Sequence, residues 1–285
     1  MSPRALAVAA LLTFVAVLCH PEGAARSAGV SKGAAHLRVV ALVPSLVEDL
    51  CAIGAARQLA GVSSATRDVP CAKGVPVVGD FASVDVEKIV ALHADLVVAI
   101  PAQAHLVEPL RHAGIDVELL DDDSYADIFA DIAALGRLTG RAPQAAALNR
   151  SLEAQTARLI AGRHFKRTPS VFVALGTGPI YTCGPTSYIA RLIALAGGRN
   201  AVTTLPGAYG EYSAEALLRL QPDAIVTDPS VGLNAVLDRE PWRSLRAVRS
   251  HHVLILHDAA LLERPGPRYN EGLRWLIERL APLAR

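Results

Sequence analysis

The chain has no block of like charge. Its 28 Lys and Arg stand against 27 Asp and Glu, for a formal net charge of +1, and no basic run emerges that would follow a phosphate backbone. A nucleic-acid partner is therefore not expected. After the first thirty residues there is no apolar run approaching the roughly 20 residues of a membrane-spanning helix, so the body of the chain is expected to be soluble outside the cytoplasm. Catalytic signatures are missing too: there is no GxSxG, no HExxH and no phosphate-binding loop. "GTGPIYTCG" follows an apolar stretch but lacks the GxGxxG spacing and a partner Lys. Asp258 with Glu263, His257-Asp258 and His251-His252 specify no acid–base or metal geometry. Cysteine is scarce, four residues without CxxC spacing, which argues against a structural zinc site. These absences point away from an enzyme.

What is present begins with a leader. "MSPRALAVAALLTFVAVLCH" places Arg4 before an apolar run from Ala5 to Leu18, and Gly23-Ala24-Ala25 supplies small residues for cleavage. Residues 1–25 therefore read as a secretory signal peptide. A lipid anchor at Cys19 is the less favoured outcome, because Leu18 is too large for the usual lipobox. An exported chain meets an oxidising compartment. Cys51 and Cys71 are near in sequence and are expected to form a disulfide, which leaves Cys183 as a buried, small apolar residue.

Beyond the leader, strand-like and helix-like segments alternate, the pattern of a parallel sheet with crossover helices. "LRVVALVPS", "LAGVS", "VPVVGD", "DLVVAI" and "IDVELL" read as strands. Ser45 is placed to cap a helix from Leu46 to Ile53, with Glu48 at capping-box spacing. Asp85 caps "VEKIVALH". From Tyr125 the apolar residues repeat at helical spacing, and a helix from Pro143 to about Ala161 spans about 28 Å, at about 1.5 Å per residue. The rhythm restarts after Pro169 with "SVFVALG", "TSYIARLIALAG", "SAEALLRL", "DAIVTD", the short helix "WRSLRAV", "HVLILH" and a final helix. The organisation is an N-terminal α/β lobe over 37–124, a helical segment over 125–165 containing the long interlobe helix, and a C-terminal α/β lobe over 169–285.

The lobes echo each other. "IVALHADLVVAI" (residues 89–100) and "LLRLQPDAIVTD" (residues 217–228) match at an offset of 128 residues, from Glu87 to Glu215. Leu92/Leu220, Asp95/Asp223 and Val98/Val226 are identical under the same offset. The paired aspartates fall in helix-to-strand turns, where Asp accepts local backbone hydrogen bonds. Ligands of open parallel sheets bind beyond the carboxyl ends of the strands. The loops there contain Pro44-Ser45, Gly79 to Phe81, Pro101 to His105, Gly176 to Tyr181, Pro206 to Tyr212 and Asp258 to Glu263. Their aromatic and small residues suit a large, partly apolar ligand.

"VVGDFASVDVEKIVALHADLVVA", "GPTSYIARLIALAGGRNAV" and "LLERPGPR" resemble the periplasmic substrate-binding proteins of ABC importers for cobalamin, heme and iron-siderophores, most closely the cobalamin type. The resemblance covers nearly the whole chain after the leader. It implies two Rossmann-like lobes with parallel sheets, joined by one long rigid helix, with the ligand cleft between lobes. It also implies a periplasmic monomer that binds without catalysis and delivers its ligand to a permease and its ATPase. Glutamates on the two lobes of such proteins dock onto permease arginines, and Glu87 and Glu215 match them. Phe81 and Tyr209 fall where two corrin-stacking aromatics are expected, whereas Ile100 and Leu261 replace others. Glu263 matches a ligand-contacting acid, and Ala260 stands where its companion aspartate is expected. Ligand contacts are thus expected from Pro44, Ser45, Phe81, Tyr181, Tyr209 and Glu263. A heme or ferric-siderophore receptor is the alternative, and an exported α/β enzyme or sensor domain that kept the fold is the alternative of another class. Phe81 replaces an iron-ligating Tyr of the heme type, Tyr181, Tyr209 or His105 would have to substitute, and Arg264 and Arg268 would meet an anionic siderophore.

Overall fold

The structure, a computed structural model, describes residues 37–163 and 165–285. The leader over 1–25, with Cys19, lies outside the described residues. In the first half, β1 (Val39–Ala41), α1 (Pro44–Ala52), β2 (Leu59–Val62), α2 (Val86–Ala91), β3 (Leu96–Ala99), α3 (Ala104–His112) and β4 (Asp116–Leu119) alternate along the chain. They build a parallel sheet in the order β2-β1-β3-β4. Two helices follow, α4 (Tyr125–Leu138) and α5 (Ala142–Ile160). The second half contains β5 (Ser170–Val173), β6 (Gly176–Thr177), β7 (Ile180–Cys183), α6 (Tyr188–Leu195), β8 (Arg199–Asn200) and β9 (Tyr209–Glu211). It continues with α7 (Ala214–Leu220), β10 (Ala224–Thr227), α8 (Arg246–Arg249), β11 (Val253–Ile255), α9 (Ala260–Glu263) and α10 (Tyr269–Leu280). Its main sheet is also parallel, in the order β8-β5-β10-β11.

The two sheets share one topology. The positions of β2, β1, β3 and β4 are taken by β8, β5, β10 and β11. The sequence repeat is the visible part of this symmetry, since β3 at Leu96–Ala99 and β10 at Ala224–Thr227 coincide under the 128-residue offset. The repeated aspartates do more than shape a local turn. Asp95 Oδ2 accepts the Arg38 N–H at 2.9 Å and Asp223 Oδ2 accepts the Ser170 N–H at 2.8 Å. Each carboxylate thus ties the turn before one central strand to the start of the neighbouring strand.

Strand composition explains how the sheets are covered. β1, β3, β5 and β10 are buried along their whole length, as parallel strands with both faces packed must be. Side chains alternate between faces. Val39, Ala41, Val98, Val171, Val173 and Val226 enter one continuous core with α1, α4, α6 and α10. The opposite faces make separate cores, one around Val40, Val97 and Ala99, the other around Phe172 and Ile225. One apolar core therefore spans both sheets. The 19-residue α5 runs alongside it. Before it, at the C-terminal end of α4, the buried Gln58 donates to Thr139 O at 3.1 Å, and near the end of α5 Thr156 donates to Asn270 Oδ1 of α10 at 2.9 Å. The shared core and these contacts tie the helical segment to both halves of the chain.

Several local expectations are corrected. Ser45 does not cap α1. Pro44 occupies the first turn with Val43 as an extended N-cap, and Ser45 lies inside the helix, buried. Proline's fixed φ starts the helix two residues earlier than the serine would. "VPVVGD" is not a strand. It touches β2 through one bridge, Val62 to Val77, and Pro76 has no N–H to extend the ladder. "WRSLRAV" divides into a 3-10 turn, Trp242–Ser244, and α8, because Leu245 turns extended to bury its side chain. The stretch after β5 turns back as the hairpin β6-β7, which pairs with β9 as a small antiparallel sheet.

Cys51 and Cys71 are bridged, with Cα atoms 6.3 Å apart. The bond ties α1 to the turn Pro70–Ala72. Replacing both cysteines with serine is expected to lower unfolding free energy by about 3 kcal/mol, the loop-entropy value for a loop of this size. Urea denaturation of the double variant and the wild type checks this. Cys183 is free and buried, and burial pushes its thiol up to about 12.

Candidate functional site

The loop after "VPVV" is built to present an aromatic ring. Gly79 has φ of 144°, a backbone no side chain adopts comfortably, and a Cβ there would collide with the Ser83 carbonyl. Asp80 Oδ1 then accepts three hydrogen bonds, from the Ala82 N–H, the Ser83 N–H and the Ser83 hydroxyl, at 2.8–2.9 Å. These bonds hold its carboxyl below the usual range. Behind the loop the buried Gln103 donates to Phe81 O at 3.3 Å. The result is a braced turn that leaves the Phe81 ring 56 % exposed. An exposed large apolar side chain on a rigid loop suits contact with another molecule.

In the second half the small antiparallel sheet supplies the phenols. Tyr181 pairs with Glu211 and Cys183 with Tyr209, so Tyr181, Cys183 and Tyr209 share one face. Tyr181 is exposed, Tyr209 half-buried and Cys183 buried. Burial raises the Tyr209 phenol well above its usual range, and the nearby Cys183, Asp122, Asp123 and Glu263 add to the effect. Tyr188 of α6 lies within the same group, fully buried, with its hydroxyl unpartnered.

Acidic side chains close the site. At the carboxyl ends of β5, β10 and β11 a small pocket is lined by Leu175, Thr227, Asp228, Leu256, Leu262 and Glu263. Solvent reaches Glu263, yet protein surrounds it closely enough that burial, then the hydrogen bond with Asp228, pushes its carboxyl up to about 7. Burial also lifts Asp122 to about 6, with help from the charge of Asp123.

The nearby arginines are committed. Arg264 bridges Glu48 of α1 at 3.1 Å and Asp68 at 2.7 Å, and Arg268 bridges Asp258 at 3.0 Å and Glu271 at 3.2 Å. The Arg264 contacts join the two halves of the chain. Gly266 packs on Ser45 beside them, so Ser45 is buried at this junction and Pro44 is half-buried. Of the residues singled out in sequence, Tyr181 and Tyr209 share one face of the small antiparallel sheet, and Glu263 of α9 lies near Tyr209. Phe81 is presented separately from the first half. Glu87 and Glu215 lie on α2 and α7, in each case two residues after the capping Asp85 or Ser213. Both are exposed, and among the described residues no ion pair holds either one.

Asp228, Tyr188 and Asp122 were not anticipated. Asp228 had a signal: it ends the second copy of the repeat, opposite Ile100 in the first.

The model of the periplasmic binding protein family matches residues 39–260. The chain belongs to the periplasmic binding protein family. Among its relatives is an ABC transporter substrate-binding lipoprotein of Bacillus subtilis, 32% identical over 257 residues, covering 86% of this chain and 80% of that protein. A vitamin B12-binding protein of Pectobacterium carotovorum is 28% identical over 193 residues, 66% of this chain and 70% of its own. Among solved structures, a periplasmic heme-binding protein in complex with two hemes superposes with a TM-score of 0.76 at 23% identity, over 87% of this chain and 99% of that one. A periplasmic binding protein is a transport component and not an enzyme. Substrate-binding proteins of this kind work with the permease and ATPase of an ABC importer.

Proposed function

We propose that this periplasmic binding protein captures cobalamin or a related corrinoid and delivers it to an ABC importer. One observation carries the choice of ligand: the charge of the candidate cleft. Asp122, Asp228 and Glu263 gather beside Tyr209, and the two arginines nearest them, Arg264 and Arg268, are already held in ion pairs. A heme brings two propionates, and many ferric siderophores are anionic. Both would meet like charge with no arginine to spare. A corrinoid presents a broad apolar ring edged with neutral amides, which suits exposed aromatic rings and carboxyl acceptors. Phe81 also cannot ligate iron.

In this reading the lobes 37–124 and 169–285 form the two walls, and the segment 125–165 holds them apart. Phe81, Tyr181 and Tyr209 stack on the ligand, Glu263 contacts its amides, and Pro44 and Ser45 form the floor at the start of α1. Glu87 and Glu215 dock on the permease. The protein acts as a monomer in the periplasm, exported by residues 1–25 and released in preference to anchoring at Cys19. The test is a comparison of ligands, cyanocobalamin against hemin, with the purified protein.

A further inference from the structure

Three charged side chains meet where the two halves of the chain join. Arg264 ends α9 and sends Nη1 to Glu48 Oε1 at 3.1 Å and Nη2 to Asp68 Oδ2 at 2.7 Å. A planar guanidinium suits two carboxylates at once. The Arg264 side chain is 19 % exposed and that of Glu48 10 %, so solvent screens this fork less than an ordinary surface pair, although Asp68, at 58 %, lies on its rim.

Two carboxylates side by side need a cause, because like charges repel. Burial raises the Glu48 carboxyl, Arg264 opposes the rise, and the charge of Asp68 adds to it. The Cys51–Cys71 bridge supplies the cause. Glu48 stands three residues before Cys51 on α1, and Asp68 stands three residues before Cys71. The bridge therefore draws together the two segments that carry the acids. The buried Val69 and its N–H bond to Thr66 O at 2.9 Å shape the Asp68 loop locally, and the bridge ties that loop covalently to α1.

On the other side of the junction α9 is one turn long, Ala260–Glu263, and so short a helix does not hold itself. Its own half holds it through the buried Leu262 and through Gly272 of α10, where a side chain would strike the Leu261 carbonyl. Arg264 ties it to the first half. The residue just before is Glu263, and Gly266, two residues on, packs on Ser45.

We propose that Arg264 and Asp68 are positioning residues of the cleft: with Glu48 they form a clamp, preset by the Cys51–Cys71 bridge, that fixes Glu263 of α9 relative to the start of α1. This rests on the corrinoid reading, in which Glu263, Pro44 and Ser45 contact the ligand. Arg264 and Asp68 act through those residues. A cleft shaped before the ligand arrives loses less freedom on binding, so releasing the clamp costs affinity.

The test combines amide hydrogen exchange of the empty protein with calorimetric affinity for cyanocobalamin. It compares the wild type, Asp68→Asn, Asp68→Glu, and Cys51→Ala with Cys71→Ala, the last with and without Asp68→Asn. The amides of Leu261 to Arg264 each bond to a carbonyl one turn back. D68N is expected to speed their exchange by about two- to fivefold, the range of a partly exposed ion pair, and to weaken cyanocobalamin by a similar factor. Amides of α7, on another element, keep their wild-type rates. D68E keeps the charge and restores most of both properties. Without the bridge α9 exchanges faster and binding is weaker from the outset, and D68N adds little to either.

Unchanged α9 exchange in D68N, or a D68N effect of equal size with and without the bridge, overturns the inference. Faster exchange with unchanged affinity overturns the positioning role and leaves the corrinoid reading standing. A wild type that ignores cyanocobalamin overturns the corrinoid reading, and exchange in the empty protein then decides the clamp by itself. Should the alanine pair not fold, D68N against D68E decides, and equal α9 exchange in those two overturns the proposal.

Discussion

Replacing Glu87 and Glu215 together with alanine is expected to cut uptake of the ligand by tenfold or more while leaving its affinity for the isolated protein unchanged. Both glutamates are exposed at helix starts that occupy matching places in two sheets of the same order. A permease with twofold symmetry would meet the same acidic handle from each lobe. Complementary charges at such an interface steer encounter and fix register, and removing them changes the rate of association first. Within the protein the cost is small. Losing an acid near a helix N-terminus forfeits about 0.3–1 kcal/mol, and the caps remain, since Asp85 accepts the Lys88 N–H and Ser213 the Ala216 N–H. Uptake in cells, with calorimetry and a melting curve on the purified variant, separates docking from folding. Normal uptake by the double variant would remove the docking role, and one active single variant would show that one handle suffices.

The second large effect belongs to the rings. Phe81→Ala and Tyr209→Ala are each expected to weaken corrinoid binding by ten- to a hundredfold, corresponding to about 1.5–3 kcal/mol for one large apolar side chain covered by ligand. The two substitutions differ in what they do to the empty protein. Phe81 is largely exposed and held by backbone contacts to its loop, so its loss leaves stability nearly unchanged. Tyr209 packs against the central core, and its removal also lowers the melting temperature. A Phe81 variant that binds as well as the wild type would mean that the ligand sits elsewhere.

Much of this arrangement is legible in the chain before any coordinates. The alternation of Val-rich runs with helical stripes leads to two parallel sheets, because buried parallel strands cannot alternate with polar residues. The 128-residue repeat leads to their shared order. Other features depend on competition that a linear reading weighs badly. Pro44 and Ser45 both favour a helix start, and the fixed proline dihedral wins. Asp95 and Asp223 look like turn residues, but their partners lie 57 and 53 positions away, across a strand pairing that must form first. The β6-β7 hairpin interrupts what reads as a strand leading directly into a helix, and it carries Tyr181. At the site, Glu263 and Tyr209 are visible through resemblance. Asp228 is not, because its importance comes from a neighbour on another element, 35 residues on, at Glu263. Pairings between strand ends are set by topology.

The central claim is that the cleft takes a neutral corrinoid in preference to an anionic iron chelate. Calorimetric titration of the purified protein with cyanocobalamin, beside a hemin titration followed by absorbance, tests it most directly. The account predicts saturable one-to-one binding of cyanocobalamin and no shift of the hemin band at the same protein concentration. A shifted hemin band with no heat from cyanocobalamin would contradict it, and would make Tyr181 and His105 the residues to examine as iron ligands.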